Sequence, residues 1–200
     1  MSPIDQIRSY TGIAWQWFQN VAKKPYAEIA LGVYSAVESM IPFPPADPFV
    51  VALILANNKG WVRTATIATL GSIVGAILGY LLGYFAFEPI GRPVLAYFGA
   101  EKSFLSLQYL VNENGFLLIF AAALTPLPNI VIPAGLFSMD FTTFLFAWTV
   151  GRVFRFFGVA YIVYAYGTSS LGTFERYLNI GTVVFALVVI GWIALKLLGI

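Results

Sequence analysis

Glu38-Ser39-Met40-Ile41-Pro42-Phe43-Pro44-Pro45-Ala46-Asp47-Pro48 is the stretch whose reading decides the fold. Four prolines and an acid stand between Pro42 and Pro48, inside an apolar segment from Tyr26 to Ala56, with Glu38 one helical turn ahead. Proline has no N–H to give to a helix, and its ring collides with the preceding turn. Such a run cannot lie in a lipid-facing helix. At membrane depth it is tolerated only where the broken backbone is buried in protein or lines a wet cavity. Residues 26–56 are therefore expected to form a re-entrant helical hairpin, entering and leaving on one side, with Pro42, Pro44 and Pro45 at its tip.

The whole chain reads as a membrane protein. Sixty per cent of its 200 residues are hydrophobic and 10% are charged; mean hydropathy is +0.83. A soluble domain carries about 25% charged residues. The net charge of +2 is too small to argue for nucleic acid. With neither cysteine nor histidine, disulfides, thiolate catalysis, histidine-held haem and the usual zinc sites are excluded. No metal and no other cofactor is expected. Nor is an enzyme: no GxSxG, P-loop, HExxH or Gly-rich dinucleotide turn is present.

Outward from the hairpin, residues 1–25 wheel into an amphipathic helix. Ile4, Ile7, Tyr10, Ala14, Trp15, Phe18 and Val21 share one side, and Asp5, Arg8, Gln16 and Gln19 the other. That pattern suits a helix lying in the headgroup layer, or one packed on the protein's own loops. Asp5 and Arg8 interrupt any signal-peptide core. After the hairpin, residues 64–87 are uncharged and long enough to cross about 30 Å. Gly71, Gly75, Gly79 and Gly83 recur every fourth residue there, a spacing that lets another helix approach closely. Glu88-Pro89-Ile90-Gly91-Arg92-Pro93 is expected to end this span. Residues 94–114 suit the interface. Residues 116–148 form a second apolar stretch broken by Pro126, Pro128 and Pro133, residues 149–167 a further span, and 181–200 a C-terminal transmembrane helix.

The two proline breaks align. Pro42 falls on Pro126 and Pro44 on Pro128, and each hairpin is followed by a glycine-containing span. If each hairpin returns to its own side, the crossing between them makes the second enter from the opposite face. That is an inverted repeat, in which broken helices meet at the midplane and form a site. Arg8, Lys23, Lys24, Lys59 and Arg63 then share one side, which by the positive-inside rule is cytoplasmic and holds the N-terminus.

Glu38, Asp47, Asp140, Arg152 and Arg155 are the charges at membrane depth. Each costs about 2.5–3.5 kcal/mol at a helix centre, so each is expected to pair or to face a cavity. Arg152 and Arg155 share a helix face. Glu38 and Asp47 flank one tip and can approach each other. Two acids brought together in a low-dielectric site hold a proton more readily than in water. Ion pairs locking the hairpins together are the structural alternative. Asp140 suits a helix N-cap before Phe141, and Asn129 can meet a headgroup at the second tip.

Glu38 through Asp47, Thr69-Leu70-Gly71-Ser72-Ile73-Val74-Gly75, Thr125-Pro126-Leu127-Pro128 and Gly151-Arg152-Val153-Phe154-Arg155-Phe156 together resemble the DedA family, also called SNARE-associated or VTT-domain proteins, with the pattern of its YqaA-type branch. The resemblance covers roughly residues 26–167. It implies an all-α polytopic fold with two facing re-entrant hairpins, and movement of lipids between leaflets. It implies a place in the cytoplasmic (inner) membrane of a prokaryote, and acids at the first hairpin, where Glu38 and Asp47 stand. The family's two arginines around the second hairpin's first proline are replaced by Ala123 and Asn129; Arg152 and Arg155 are the cations offered in their stead. The expected function is a flippase or scramblase of lipids with a phosphate headgroup, with protons as a further partner the acids admit and a homo-oligomer left open. A proton-coupled transporter of a small solute and a non-transporting membrane scaffold are the alternatives.

Overall fold

The computed structural model describes residues 15–41, 45–124 and 130–167. The expectations for residues 1–14, for Pro42, Pro44, Pro126, Pro128 and Asn129, and for 181–200 lie outside the described residues. The described chain is helical and holds no strand. Its helices are α1 (15–22), α2 (Ala27–Met40), α3 (Asp47–Ala56), α4 (Trp61–Ala86), α5 (Arg92–Phe98), α6 (Glu101–Glu113), α7 (Gly115–Leu124), α8 (Val131–Leu136) and α9 (Phe141–Tyr166).

Two antiparallel helices form the frame. Trp61 of α4 stacks on Tyr164 of α9, the Trp148 indole reaches Ser72 at 3.2 Å, and Tyr80 packs on Phe144. With 26 residues each, at about 1.5 Å per residue, both exceed a 30 Å hydrocarbon layer. Leu70, Val74, Leu78 and Phe85 of α4, and Phe146, Val153 and Phe154 of α9, stand exposed. Apolar faces that wide are unsuited to water. Two described helices are long and apolar enough to cross a membrane, or three if the sharply bent pair α6–α7 counts as one span. The chain is an integral membrane protein by length and composition.

The shorter helices fill the two sides of this frame. α2 runs parallel to α4 with almost no side chain between them. A Cβ on Gly71 would collide with the Gly32 carbonyl, and one on Gly75 with that of Ala36. Farther along, Gly83 faces the Ile132 carbonyl of α8, while Gly135 of α8 faces that of Tyr80. α7 runs parallel to α9 in the same way, with Phe116 beside Phe146 and Ala123 against Gly151. α3 packs on the later half of α9.

Three features bear on the sequence expectations. Glu88–Pro93 does not end the span: one continuous helix runs from Asn58 to Phe98. A π-turn at Phe87–Gly91, closed from the Arg92 N–H to the Phe87 carbonyl, absorbs Pro89, because a wider turn tolerates the missing donor. Gly99, at φ 61°, makes the stop instead. The described part of α1 lies on protein. Phe18 and Val21 are buried, and Phe18 stacks on Phe49 at 5.0 Å and meets Tyr34 edge-on. α9 also takes in residues 141–148, since Asp140 caps it at Phe141.

One methyl group at the α2–α4 contact tests the close packing. Gly75→Ala should cut folded yield several-fold in size-exclusion profiles, because overpacking costs about 1–3 kcal/mol. Gly32→Ala, whose Cβ would find only Ile67 at 3.5 Å, should be tolerated.

Asp140 offers a pH test outside the span. Its carboxylate accepts from the Thr143 N–H at 2.7 Å, and that backbone bond holds it below the usual carboxylate range. A lowered value stabilises the fold above the ordinary carboxylate range, near pH 4, and the gain is lost as pH falls through the lowered value. The melting-temperature advantage of the wild type over Asp140→Asn should therefore shrink on acidification.

Candidate functional site: two ion pairs between helix breaks

α2 ends where proline forces it to. Ile41, the residue before Pro42, is extended at φ −122° and ψ 143°, since a following proline disfavours helical backbone. α3 then starts at Asp47 with Pro48 in its first turn, where proline's missing N–H costs nothing. Glu38 thus occupies the last turn before the break and Asp47 the first residue after it. Arg152 and Arg155 sit mid-way along α9.

These four side chains meet. Arg152 Nη1 donates to Glu38 Oε1 at 3.3 Å. Arg155 grips Asp47 with two nitrogens, Nε to Oδ1 at 3.3 Å and Nη2 to Oδ2. All four residues are buried, Arg152 at 1% exposure and Asp47 at 7%. Arg155 Nη1 also donates to the Leu124 carbonyl at 3.2 Å. Leu124 is the last residue of α7, so a single guanidinium touches both broken regions. The Arg152 guanidinium lies over Trp148, 4.5 Å from the ring centroid, with Phe156 at 5.7 Å. Aromatic faces suit a planar cation that has left water.

The expectation that Glu38 and Asp47 act as neighbouring acids is replaced. Each carboxylate has its own arginine, so the cluster sums to zero charge. A buried cation stabilises a buried anion more than a second anion could. Asp140 leaves the set altogether, as the exposed cap of α9. Pro45 and Pro133 lie beside the two breaks, Pro45 just before α3 and Pro133 inside α8.

A polar thread runs beside the ion pairs. Ser39 Oγ bonds the Ser35 carbonyl and lies 2.7 Å from Ser72 Oγ, to which the Trp148 indole N–H donates. It ties α2, α4 and α9 at the level of Arg152. Among the described residues, Ser35 Oγ and Arg152 Nε are buried without a hydrogen-bond partner.

The VTT domain family matches residues 41–165, well over half of the chain. The chain belongs to the VTT-domain family, of the DedA/VTT type. No curated protein and no solved structure matches. The matched range of the VTT domain holds Asp47, Arg152, Arg155 and the glycine stripe; Glu38 lies just outside it. Membership makes this a membrane protein of a transporter-like family.

Sequence reasoning missed the serine–tryptophan thread. Ser35 and Ser39 are one turn apart and Ser72 follows Gly71. Small polar residues facing a glycine stripe were the available signal, but serine is common in membrane helices and the partner Trp148 is 76 residues away.

Removing one charge of a buried pair leaves the other uncompensated, at about 3–5 kcal/mol. Glu38→Gln and Arg152→Gln should each lower the thermal midpoint. The double substitution should recover most of the loss, as read by melting in detergent.

Proposed function

We propose that this VTT-domain protein moves phosphate-bearing lipids between the leaflets of a prokaryotic inner membrane, with its N-terminus cytoplasmic. The observation that carries the reading is Arg155, buried midway along a membrane-length helix, bonded to Asp47 at one helix break and to the end of α7 at the other. The planar fork that grips a carboxylate with two nitrogens fits a phosphate equally well. A headgroup entering between the breaks exchanges with Asp47 for the guanidinium, while its acyl chains stay in the bilayer. A proton on Asp47 favours that exchange by releasing the arginine.

The two broken regions are read as opposed re-entrant hairpins in an inverted repeat. In support, α2 runs parallel to α4 as α7 does to α9, and each return arm, α3 or α8, packs on the span of the other half. α3, with 10 residues, reaches only about 15 Å, half of a hydrocarbon layer. Gly151, Arg152 and Arg155 are read as the YqaA-type pattern.

The test is reconstitution. Liposomes with the purified chain should exchange a labelled anionic phospholipid between leaflets faster than protein-free ones. Arg155→Lys, which keeps the charge but loses the fork, should cut the exchange about tenfold while the protein stays folded. Solute uptake under a pH gradient without lipid exchange would favour the solute transporter. Neither activity would leave the scaffold.

A further inference from the structure

A second polar feature lies at the open end of the first hairpin. A cleft of about 540 Å³ opens there, bordered by Lys23, Lys24, Ala27, Leu53, Asn57 and Thr64. Small-molecule sites are typically about 300–1,000 Å³. Lys23 and Lys24 are exposed and have no ion-pair partner among the described residues. The acid on its border, Glu28, is held by Arg63 at 2.5 Å. The unbalanced charge is therefore positive.

The backbone adds to it. α2 and the continuous helix from Asn58 both begin at this cleft, and neither Tyr26 nor Asn57 supplies a side-chain cap. N–H groups at an uncapped helix start carry partial positive charge. Ala27, Leu53 and Thr64 are its buried border residues. Nearby, Trp61 stacks on Tyr164 and meets Tyr161 edge-on, an aromatic group of the kind that marks headgroup level. Thr64 precedes Ser72 by eight residues on the same helix, which puts the cleft about 12 Å from the level of the serine thread.

We propose that this cleft binds the phosphate of an anionic phospholipid from the adjoining leaflet, at a site separate from the Arg152–Arg155 cluster. Lys23, Lys24 and the two helix starts hold the phosphate, and the acyl chains lie along the outer surface of the helices. The site does not depend on whether the chain moves lipid.

Native mass spectrometry of the full chain in detergent tests it, with phosphatidylglycerol, phosphatidylcholine of the same acyl chains, and inorganic phosphate as probes. One phosphatidylglycerol should bind about tenfold tighter than phosphatidylcholine. Lys23→Gln and Lys24→Gln should each weaken it about fivefold. Lys59→Gln, at the same end but off the cleft border, should change it much less. Phosphate that competes for the site identifies the anion alone as the recognised group; lysine-dependent binding that resists phosphate identifies the whole lipid. Equal binding of the two lipids overturns the proposal, and so does a Lys59→Gln loss as large as those of the cleft lysines. Should a lysine substitution disturb folding, the unaltered chain still decides. Its preference for phosphatidylglycerol must fall as salt is added, and a salt-independent preference overturns the site.

Discussion

Two arginines buried mid-way along a membrane-length helix, and the two buried acids that meet them from α2 and α3, constrain everything around them. None could stay charged alone in that setting at acceptable cost. Held as Glu38–Arg152 and Asp47–Arg155, they carry no net charge and bind three separate helices to one another. α2 must end near Glu38 and α3 must begin at Asp47 for both acids to face α9. The extended backbone at Ile41 and the proline at the first turn of α3 set these two ends, and the pairing holds both acids against α9. Arg155 extends the same constraint to the second break through the Leu124 carbonyl.

Such a cluster needs helices packed closely enough to exclude lipid. The glycine stripe of α4 provides this by letting backbone meet backbone, first against α2 and then against α8. Van der Waals contact over that length drives association in a solvent where the hydrophobic effect does not favour one apolar partner over another. The serine thread lies in the same seam, where small side chains leave room for hydroxyls to reach one another. Packing and polarity are thus two uses of one helix face. The opposite faces of α4 and α9 keep large apolar side chains for lipid.

The charged cluster and the basic cleft where α2 begins differ in kind. In the cluster every charge has an opposite partner, so an incoming anion must displace one. In the cleft the lysines have no such partner, and an anion meets them without exchange. On the reading proposed above, the cleft is where a headgroup rests and the cluster is where it must compete. The two share α2 and α3, which carry the acids of the cluster and border the cleft.

Composition and proline placement determined a good deal unaided. An apolar chain with few charges, an all-helical fold, broken helices at Pro42–Pro48 and after Leu124, and the helix start at Asp140 all follow from local rules about donors, caps and the cost of charge in lipid. The shortlist of buried charges followed from the same rule, because ionisable residues in apolar stretches are rare enough to count. Partnership did not follow. Glu38 and Asp47 are close in sequence and lie at the ends of one break, which suggested that they meet. Arg152 lies 114 residues from Glu38, and only the antiparallel setting of α9 against α4, with α2 and α3 laid on them, brings it there. The continuity of the helix past Pro89 was hidden for a similar reason, since a π-turn depends on the backbone on either side. Local chemistry states which groups need a partner; the packing of distant helices decides which partner each one finds.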